Sequence, residues 1–310
     1  MNKSPLVTIG TLSYNTGKYV VKTLESIKGQ NYHNFEHIII DDCSTDNSID
    51  LIDKWINEND YQCIFIKRTK NQGYHSGLNE IINMANGDYI CFVSDDIWHP
   101  NKTRLLVDAL EQNGSGYAVA YGDHNTIDES GNIIEKERLS KYYSTFDKWP
   151  QDNIFINTIK DFSYYGCLQF SLIRLKAIKD INFKFESQFI QEDWHFALEM
   201  SRKFKYVGVN EIVGEYLVRK NSLSNELFKN ENYLNFIRSN FNLLMHYYDT
   251  KSHKSVRNAI VNKLSSLTKK SIELEKNKIN RLKFIYKQNK VKMSPLFSIK
   301  MIIKYILKSN

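Results

Sequence analysis

The segment Gly87-Asp88-Tyr89-Ile90-Cys91-Phe92-Val93-Ser94-Asp95-Asp96 constrains this chain most. It runs from a turn through five β-forming residues to two adjacent carboxylates. Such a run predicts a buried strand with Asp95 and Asp96 at its C-terminal end, which is where open α/β sheets bind their ligands. Two neighbouring anions repel each other unless something positive neutralises them, and a divalent cation is the usual solution. The pattern therefore points to metal-assisted chemistry on a phosphate-bearing substrate.

The preceding residues repeat the theme. Leu6–Leu12 reads as a buried strand, Ser13–Gly17 as turn chemistry, and Tyr19, Val20, Leu24 and Ile27 as one helix face. Phe35–Ile40 is a second strand, and Asp41 to Ser48 leads into a helix marked by Ile49, Ile52, Trp55 and Ile56. Cys63–Ile66 is a third strand, followed by a helix carrying Leu78, Ile81, Ile82 and Ala85. Tight strand–helix alternation of this kind predicts a parallel sheet covered on both faces. After residue 113 the pattern loosens. Strands are expected at Tyr117–Tyr121 and Leu168–Ile173, a polar and aromatic excursion between them, a helix opening at Glu192-Asp193, and a closing strand pair over Tyr206–Tyr216.

The four strand ends, taken in order, carry Tyr14-Asn15, then Ile39-Ile40-Asp41-Asp42 with Ser44-Thr45-Asp46, then Asn71 and Gly73, then Asp95-Asp96. Over residues 5–225 this order and spacing resembles the family 2 glycosyltransferases, of GT-A fold. The resemblance implies an α/β, Rossmann-like mixed sheet flanked by helices. It implies a GT-A domain over 1–225, with a nucleotide-sugar-binding half at 1–113 and an acceptor-binding half at 114–225. A basic helical extension would follow at 226–310.

The same resemblance assigns roles. Asp41 and Asp42 would hold the nucleobase of a nucleotide-sugar donor, with Asp42 the favoured contact to a uracil imide. Thr11, Tyr14, Asn15, Asn71 and Gly73 would lie along the nucleotide. Asp96, with Asp95, would hold Mn²⁺ or Mg²⁺ against the donor diphosphate, Asp95 also reaching the donor's ribose or sugar. Asp193, in Gln191-Glu192-Asp193-Trp194, would be the general base of an inverting transfer to a glycan or lipid-linked glycan hydroxyl in surface polysaccharide synthesis.

Three departures stand out. Many members carry Asp-x-Asp-Asp where this chain has Val93-Ser94-Asp95-Asp96. Many carry Ala-Arg-Asn where Gly77-Leu78-Asn79 stands, so a helix arginine near the nucleotide is missing. Many carry a histidine before a Ser-x-Ser, and here Arg219 takes that place, with Lys220 next to it. Arg219 or Lys220 is therefore expected to meet the diphosphate directly.

Taken singly, these residues also have plainer readings. Asp41-Asp42 suits a helix N-terminus, Asp95-Asp96 a solvated turn, and Glu192-Asp193 any helix start. The histidines His75, His99, His124 and His195 lack metal spacing. The aromatics from Tyr142 to Phe170, including Phe162, Tyr164 and Tyr165, suit either sugar stacking or packing. A nicotinamide oxidoreductase would need a Gly-x-Gly-x-x-Gly turn after the first strand, and Gly10–Gly17 lacks it. The alternative that remains is a catalytically degenerate nucleotide- or glycan-binding subunit of a polysaccharide assembly complex.

The net charge of +7 is unevenly spread. Residues 251–310 hold 16 Lys and Arg against Glu273 and Glu275, which leaves residues 1–250 net acidic. Lys300, Lys304 and Lys308 recur every four residues among Ile299, Met301, Ile302, Ile303, Ile306 and Leu307. Such a helix either lies on an anionic membrane surface or packs on the body or a partner. No nucleic-acid motif accompanies the charge. Cys43, Cys63, Cys91 and Cys167 lack ligand spacing and read as reduced structural thiols. With no signal-like start and no membrane-length apolar run, a cytoplasmic chain is expected, peripheral to the inner membrane face if the tail docks there.

Overall fold

The computed structural model describes residues 4–161, 167–219, 230–248 and 252–274. The chain divides into two compact units. The first comprises Met1–Phe155, Phe162–Glu186 and Glu192–Arg219, and the second Ile156–Asp161, Ser187–Gln191 and Lys220–Asn310.

The first unit begins with a strand–helix series: β1 (Val7–Ser13), α1 (Val20–Lys28), β2 (Phe35–Asp41), α2 (Ser48–Glu58), β3 (Ile64–Lys67), α3 (Tyr74–Met84) and β4 (Tyr89–Val93). It continues with β5 (Ile97–Trp98), α4 (Lys102–Asn113), β6 (Tyr117–Ile127), β7 (Ile133–Glu135) and α5 (Arg138–Tyr143), while the next helix, α6 (Phe155–Lys160), belongs to the second unit from Ile156 onward. Then come β8 (Ser171–Arg174), α7 (Leu175–Asp180), α8 (Glu192–Ser201) and β9 (Lys205–Leu217). These strands form one sheet in the order β3-β2-β1-β4-β8-β6-β9-β5, with β7 beside β6. The strands β3, β2, β1 and β4 are mutually parallel, β8 runs antiparallel to β4 and β6, and β6 and β9 are parallel.

Strand alternation builds a core on each face of the sheet, because successive side chains leave a strand on opposite faces. Leu12, Ile38, Ile40, Ile90 and Phe92 pack with Leu78 and Ile81 of α3 and Phe196 and Met200 of α8. Val7, Ile9, Tyr89, Cys91 and Val93 pack on the other face with Ile27 of α1 and Leu106 and Leu110 of α4. The central strands are therefore buried on both sides, which is why they read as unbroken apolar runs. Parallel register aligns their C-terminal ends: Ser13 pairs with Asp41, Asp41 with Lys67, and Thr11 with Val93.

The closing pair expected over Tyr206–Tyr216 is a single 13-residue strand, β9. Asn210-Glu211 reads as a turn, yet the chain absorbs it as a bulge. Gly122 pairs with Val209 and Asp123 with Ile212, so both polar residues are looped out while the ladder resumes. The short β5 adds antiparallel to β9 through Ile97 and Glu215, which brings the end of the Asp95-Asp96 segment to the end of β9. In the second unit, α9 (Asn230–Tyr247) and α10 (Lys254–Leu274) follow, with Ile237, Phe241, Leu244, Ile260 and Leu264 buried. Among the described residues no helix is long and apolar enough to cross a membrane. The basic tail with Lys300, Lys304 and Lys308 lies outside the described residues, as do Lys220, Phe162, Tyr164 and Tyr165.

Candidate active site

The turn after β1 and the loop after β2 are stapled together. Asn15 sits at φ 53°, in the left-handed region that asparagine tolerates. From there its Oδ1 accepts from the backbone N–H of Thr45 at 2.8 Å, and its own N–H donates to Ser44 Oγ at 2.9 Å. Asp41 is fully buried and accepts from Ser13 Oγ, the Ser44 N–H and Ser44 Oγ at 2.7–2.8 Å. Its carboxylate is spent on holding the loop. Thr11 is equally buried, its hydroxyl 2.7 Å from His37 Nε2, and burial pushes His37 down to about 3. Thr11 thus faces the packing under the sheet, whereas Tyr14 is exposed.

Asp42 faces a different environment. Its Oδ1 accepts from Arg68 Nη1 and from the Gln72 N–H, each at 2.9 Å, and its Oδ2 accepts from the Gly73 N–H at 2.7 Å. Gly73 adopts φ +85°, which lets the turn wrap the carboxylate, and Asn71 Oδ1 also accepts from its N–H at 3.1 Å. Burial raises the carboxyl's proton affinity, but the donors, Arg68 foremost, outweigh it and hold Asp42 below the usual carboxylate range.

Asp95 and Asp96 end the β4 segment. Asp96 is 2% exposed, and its Oδ1 accepts from the Leu217 N–H at the end of β9 at 2.9 Å. Burial, then the charge of Asp95, pushes Asp96 well above the usual range. Burial also raises Asp95, opposed by Arg219, whose Nε lies 2.5 Å from Asp95 Oδ2. The Arg219 guanidinium also sits 5.4 Å from the Tyr19 ring centre. A buried and an adjacent partly buried carboxyl of raised proton affinity are hard oxygen donors for which Mn²⁺ or Mg²⁺ would substitute for a proton. Among the described residues no group of three or more Asp, Glu, His or Cys is arranged to hold a metal. A cation here would need further oxygens, as Mg²⁺ sites completed by substrate phosphates do.

Helix α8 opens with Glu192 and Asp193, whose placement at a helix N-terminus suits acids. Burial pushes Asp193 up to about 6, with hydrogen bonds from Glu192 and from the Leu168 N–H opposing it. Burial and the Asp193 charge push Glu192 up to about 8.

Tyr74 ties these parts together. It opens α3 directly after Gly73, which holds Asp42. Burial and then the charges of Glu192, Asp193, Cys167 and Asp96 push its hydroxyl well above its usual range. The Asp193 charge also raises Asp96. The loop around Asp42, the β4 carboxylates and the α8 acids therefore border one region at the C-terminal edge of the sheet.

Sequence reasoning overlooked Arg68 and Tyr74. The available signal for Arg68 was its place one residue past β3, on the same sheet edge as Asp42. Leu78, in the position where an arginine was missed, is fully buried in the core, so that face of α3 packs against the sheet.

Residues 8–168 match the model of glycosyl transferase family 2. TuaG of Bacillus subtilis (strain 168), a glycosyltransferase assigned by name to teichuronic acid biosynthesis, is 26% identical over 232 residues, covering 74% of this chain and 85% of TuaG. S. aureus TarS 1–349 in complex with UDP-GlcNAc superposes with a TM-score of 0.69 at 15% identity, covering 90% of this chain and 78% of TarS 1–349. The mannosyltransferase PcManGT from Pyrobaculum calidifontis, in complex with GDP-Man and Mn²⁺, superposes with a TM-score of 0.61 at 13% identity, covering 100% of this chain and 89% of PcManGT. The fold is that of the GT-A glycosyltransferases.

Proposed function

The chain belongs to glycosyl transferase family 2, and from that premise we propose that it transfers a sugar, with inversion, from a UDP-linked donor to a hydroxyl of a glycan or lipid-linked glycan. The observation that carries this reading is that the charges of Asp96 and Asp193 both act on Tyr74, the residue after the Gly73 whose N–H binds Asp42, with Asp193 raised to about 6. A carboxylate of that basicity is ionised at neutral pH and still able to accept a proton.

In this reading Asp42 receives the base of the donor, while Asn15 and Asp41 keep the loops beneath it in place. Asp95 and Asp96 would hold Mn²⁺ or Mg²⁺, which when bound would supply Lewis-acid neutralisation of charge on the departing nucleoside diphosphate. Arg219, already seated on Asp95, contacts the diphosphate directly. Asp193 takes the proton of the acceptor hydroxyl as that oxygen bonds to the anomeric carbon. The bond from that carbon to the diphosphate oxygen breaks on the opposite face, and a single displacement inverts the configuration. The complex of TarS with UDP-GlcNAc supports a UDP-sugar donor, and the PcManGT complex supports a divalent cation. The similarity to TuaG supports a place in surface polysaccharide assembly. The basic tail fits an acceptor carried on an anionic membrane at the cytoplasmic face.

Donor hydrolysis with Mn²⁺ tests the reading. Release of UDP from UDP-sugars by the full chain, abolished by Asp96→Ala, is the expected result. A protein that binds UDP-sugars and releases no UDP with any acceptor would be a binding subunit instead.

A further inference from the structure

Asp42 is a carboxylate with most of its acceptor capacity already used. Each of its oxygens offers two lone pairs. Oδ1 accepts from Arg68 Nη1 and the Gln72 N–H, so it is filled. Among the described residues Oδ2 accepts only from the Gly73 N–H, which leaves one acceptor position. The side chain keeps 9% of its surface open.

Arg68 sets this arrangement. Its side chain is 4% exposed and spans two acids, Asp42 through Nη1 and Glu80 through Nη2, with Ser76 Oγ a further 3.3 Å acceptor. Its Nε–H is buried with no hydrogen-bond acceptor among the described residues. Arg68 thus fills one oxygen of Asp42 from a buried position and leaves the other oxygen with one open lone pair.

We propose that Arg68 is the positioning residue that makes Asp42 a reader of a single N–H, and so selects donors with an imide base, uracil or thymine, over guanine. This rests on the reading that Asp42 faces the base of the donor. An imide offers one ring N–H, which matches one free lone pair. Guanine offers a ring N–H and an adjacent amine, a pair that needs both carboxylate oxygens. With Oδ1 occupied by Arg68 and Gln72, the second guanine donor would be left unpaired, which sites built on hydrogen bonds reject strongly. The fold does not make this choice, since a UDP-sugar and a GDP-sugar are each bound by one of its neighbours.

The test is calorimetric titration of UDP and GDP, with Mn²⁺, into the full chain and its Arg68→Lys and Glu80→Gln variants. Melting temperatures and donor-hydrolysis kinetics are recorded alongside. Lysine keeps the charge but cannot span Asp42 and Glu80 together. The wild type is expected to prefer UDP by about tenfold or more, the scale of one unmet hydrogen bond. Arg68→Lys is expected to bring the ratio to within about threefold of unity and raise the donor KM, with kcat nearly unchanged and the melting temperature lowered by the lost link to one acid. Glu80→Gln, which frees one end of the guanidinium, shifts the ratio the same way by less. A ratio unchanged in both variants, or a wild type that binds UDP and GDP alike, overturns the role of Arg68. A wild type that binds neither nucleotide overturns the donor-site reading beneath it.

Discussion

Replacing Asp193 by asparagine removes the one group of the site whose proton affinity suits a base at neutral pH. Burial raises Asp193 to about 6, so about 90% of it is ionised at pH 7 and about 10% at pH 5. The folded-state value lies above the ordinary aspartate value, so activity that needs the ionised form is present above pH 6 and falls as pH drops through it. The profile of kcat/KM for transfer should therefore lose about tenfold between pH 7 and pH 5. An ordinary aspartate would hold the rate to about pH 4. Asp193→Asn should cost about 10²–10⁴ in kcat and flatten the limb, with donor KM little changed. The neighbour refines the test. Glu192 hydrogen-bonds Asp193 and lowers its proton affinity, so Glu192→Ala should move the limb upward in pH. Glu192→Gln retains an N–H donor and should leave the limb near 6. Rates measured with radiolabelled or coupled UDP-release assays from pH 4.5 to 8.5 decide the matter. A limb unaffected by Asp193→Asn, with full rate at pH 5, refutes the assignment.

Asp41 and Asp42 should separate cleanly. Asp41→Asn disturbs buried bonds to Ser13 and Ser44 and should cost about 1–3 kcal/mol of stability, read as a lower melting temperature. Asp42→Asn should instead weaken UDP binding in calorimetry by about tenfold or more. Arg219→Ala should raise the donor KM by about tenfold or more, the scale of a hydrogen bond between charged groups, and unchanged donor affinity and turnover would remove Arg219 from the diphosphate. Glu192 is raised by burial to about 8 from 4.5, so it lowers stability increasingly as pH climbs between those values. Glu192→Gln should therefore raise the melting temperature more at pH 8.5 than at pH 5. Gly87→Ala would place a Cβ 2.5 Å from the Tyr89 carbonyl and 2.7 Å from the Thr8 N–H. Backbone cannot yield cheaply there, so a loss of about 1–3 kcal/mol, or about 2–12 °C in melting temperature, is expected.

The parallel half of the sheet was legible because each of its strands is buried on both faces and ends in polar residues. Leu6–Leu12, Phe35–Ile40 and Tyr89–Val93 carry their own evidence, and the acids at their ends fall on one edge by geometry alone. The antiparallel part was harder to read. Asn210-Glu211 looks like a turn, and only the long pairing partner β6 keeps the strand running through it. Ile97-Trp98 has no local strand pattern, and it becomes a strand because β9 lies beside it. Within the site, adjacency in sequence misled in one respect. Asp41 and Asp42 look equivalent, yet strand alternation turns one into the loop and leaves the other partly open. Arg68 and Tyr74 were hidden for the opposite reason. Their importance lies in charges contributed from Asp42, Glu80, Asp96 and α8, which no local window contains.

The most direct test of a shared donor and metal site is calorimetric binding of UDP with and without Mn²⁺. It would be carried out on the wild type, Asp96→Ala and Asp193→Asn. Mn²⁺ should tighten UDP binding in the wild type and in Asp193→Asn, and lose that effect in Asp96→Ala, while Asp193→Asn alone keeps donor affinity without turnover. Equal tightening by Mn²⁺ in the Asp96→Ala protein would contradict the account.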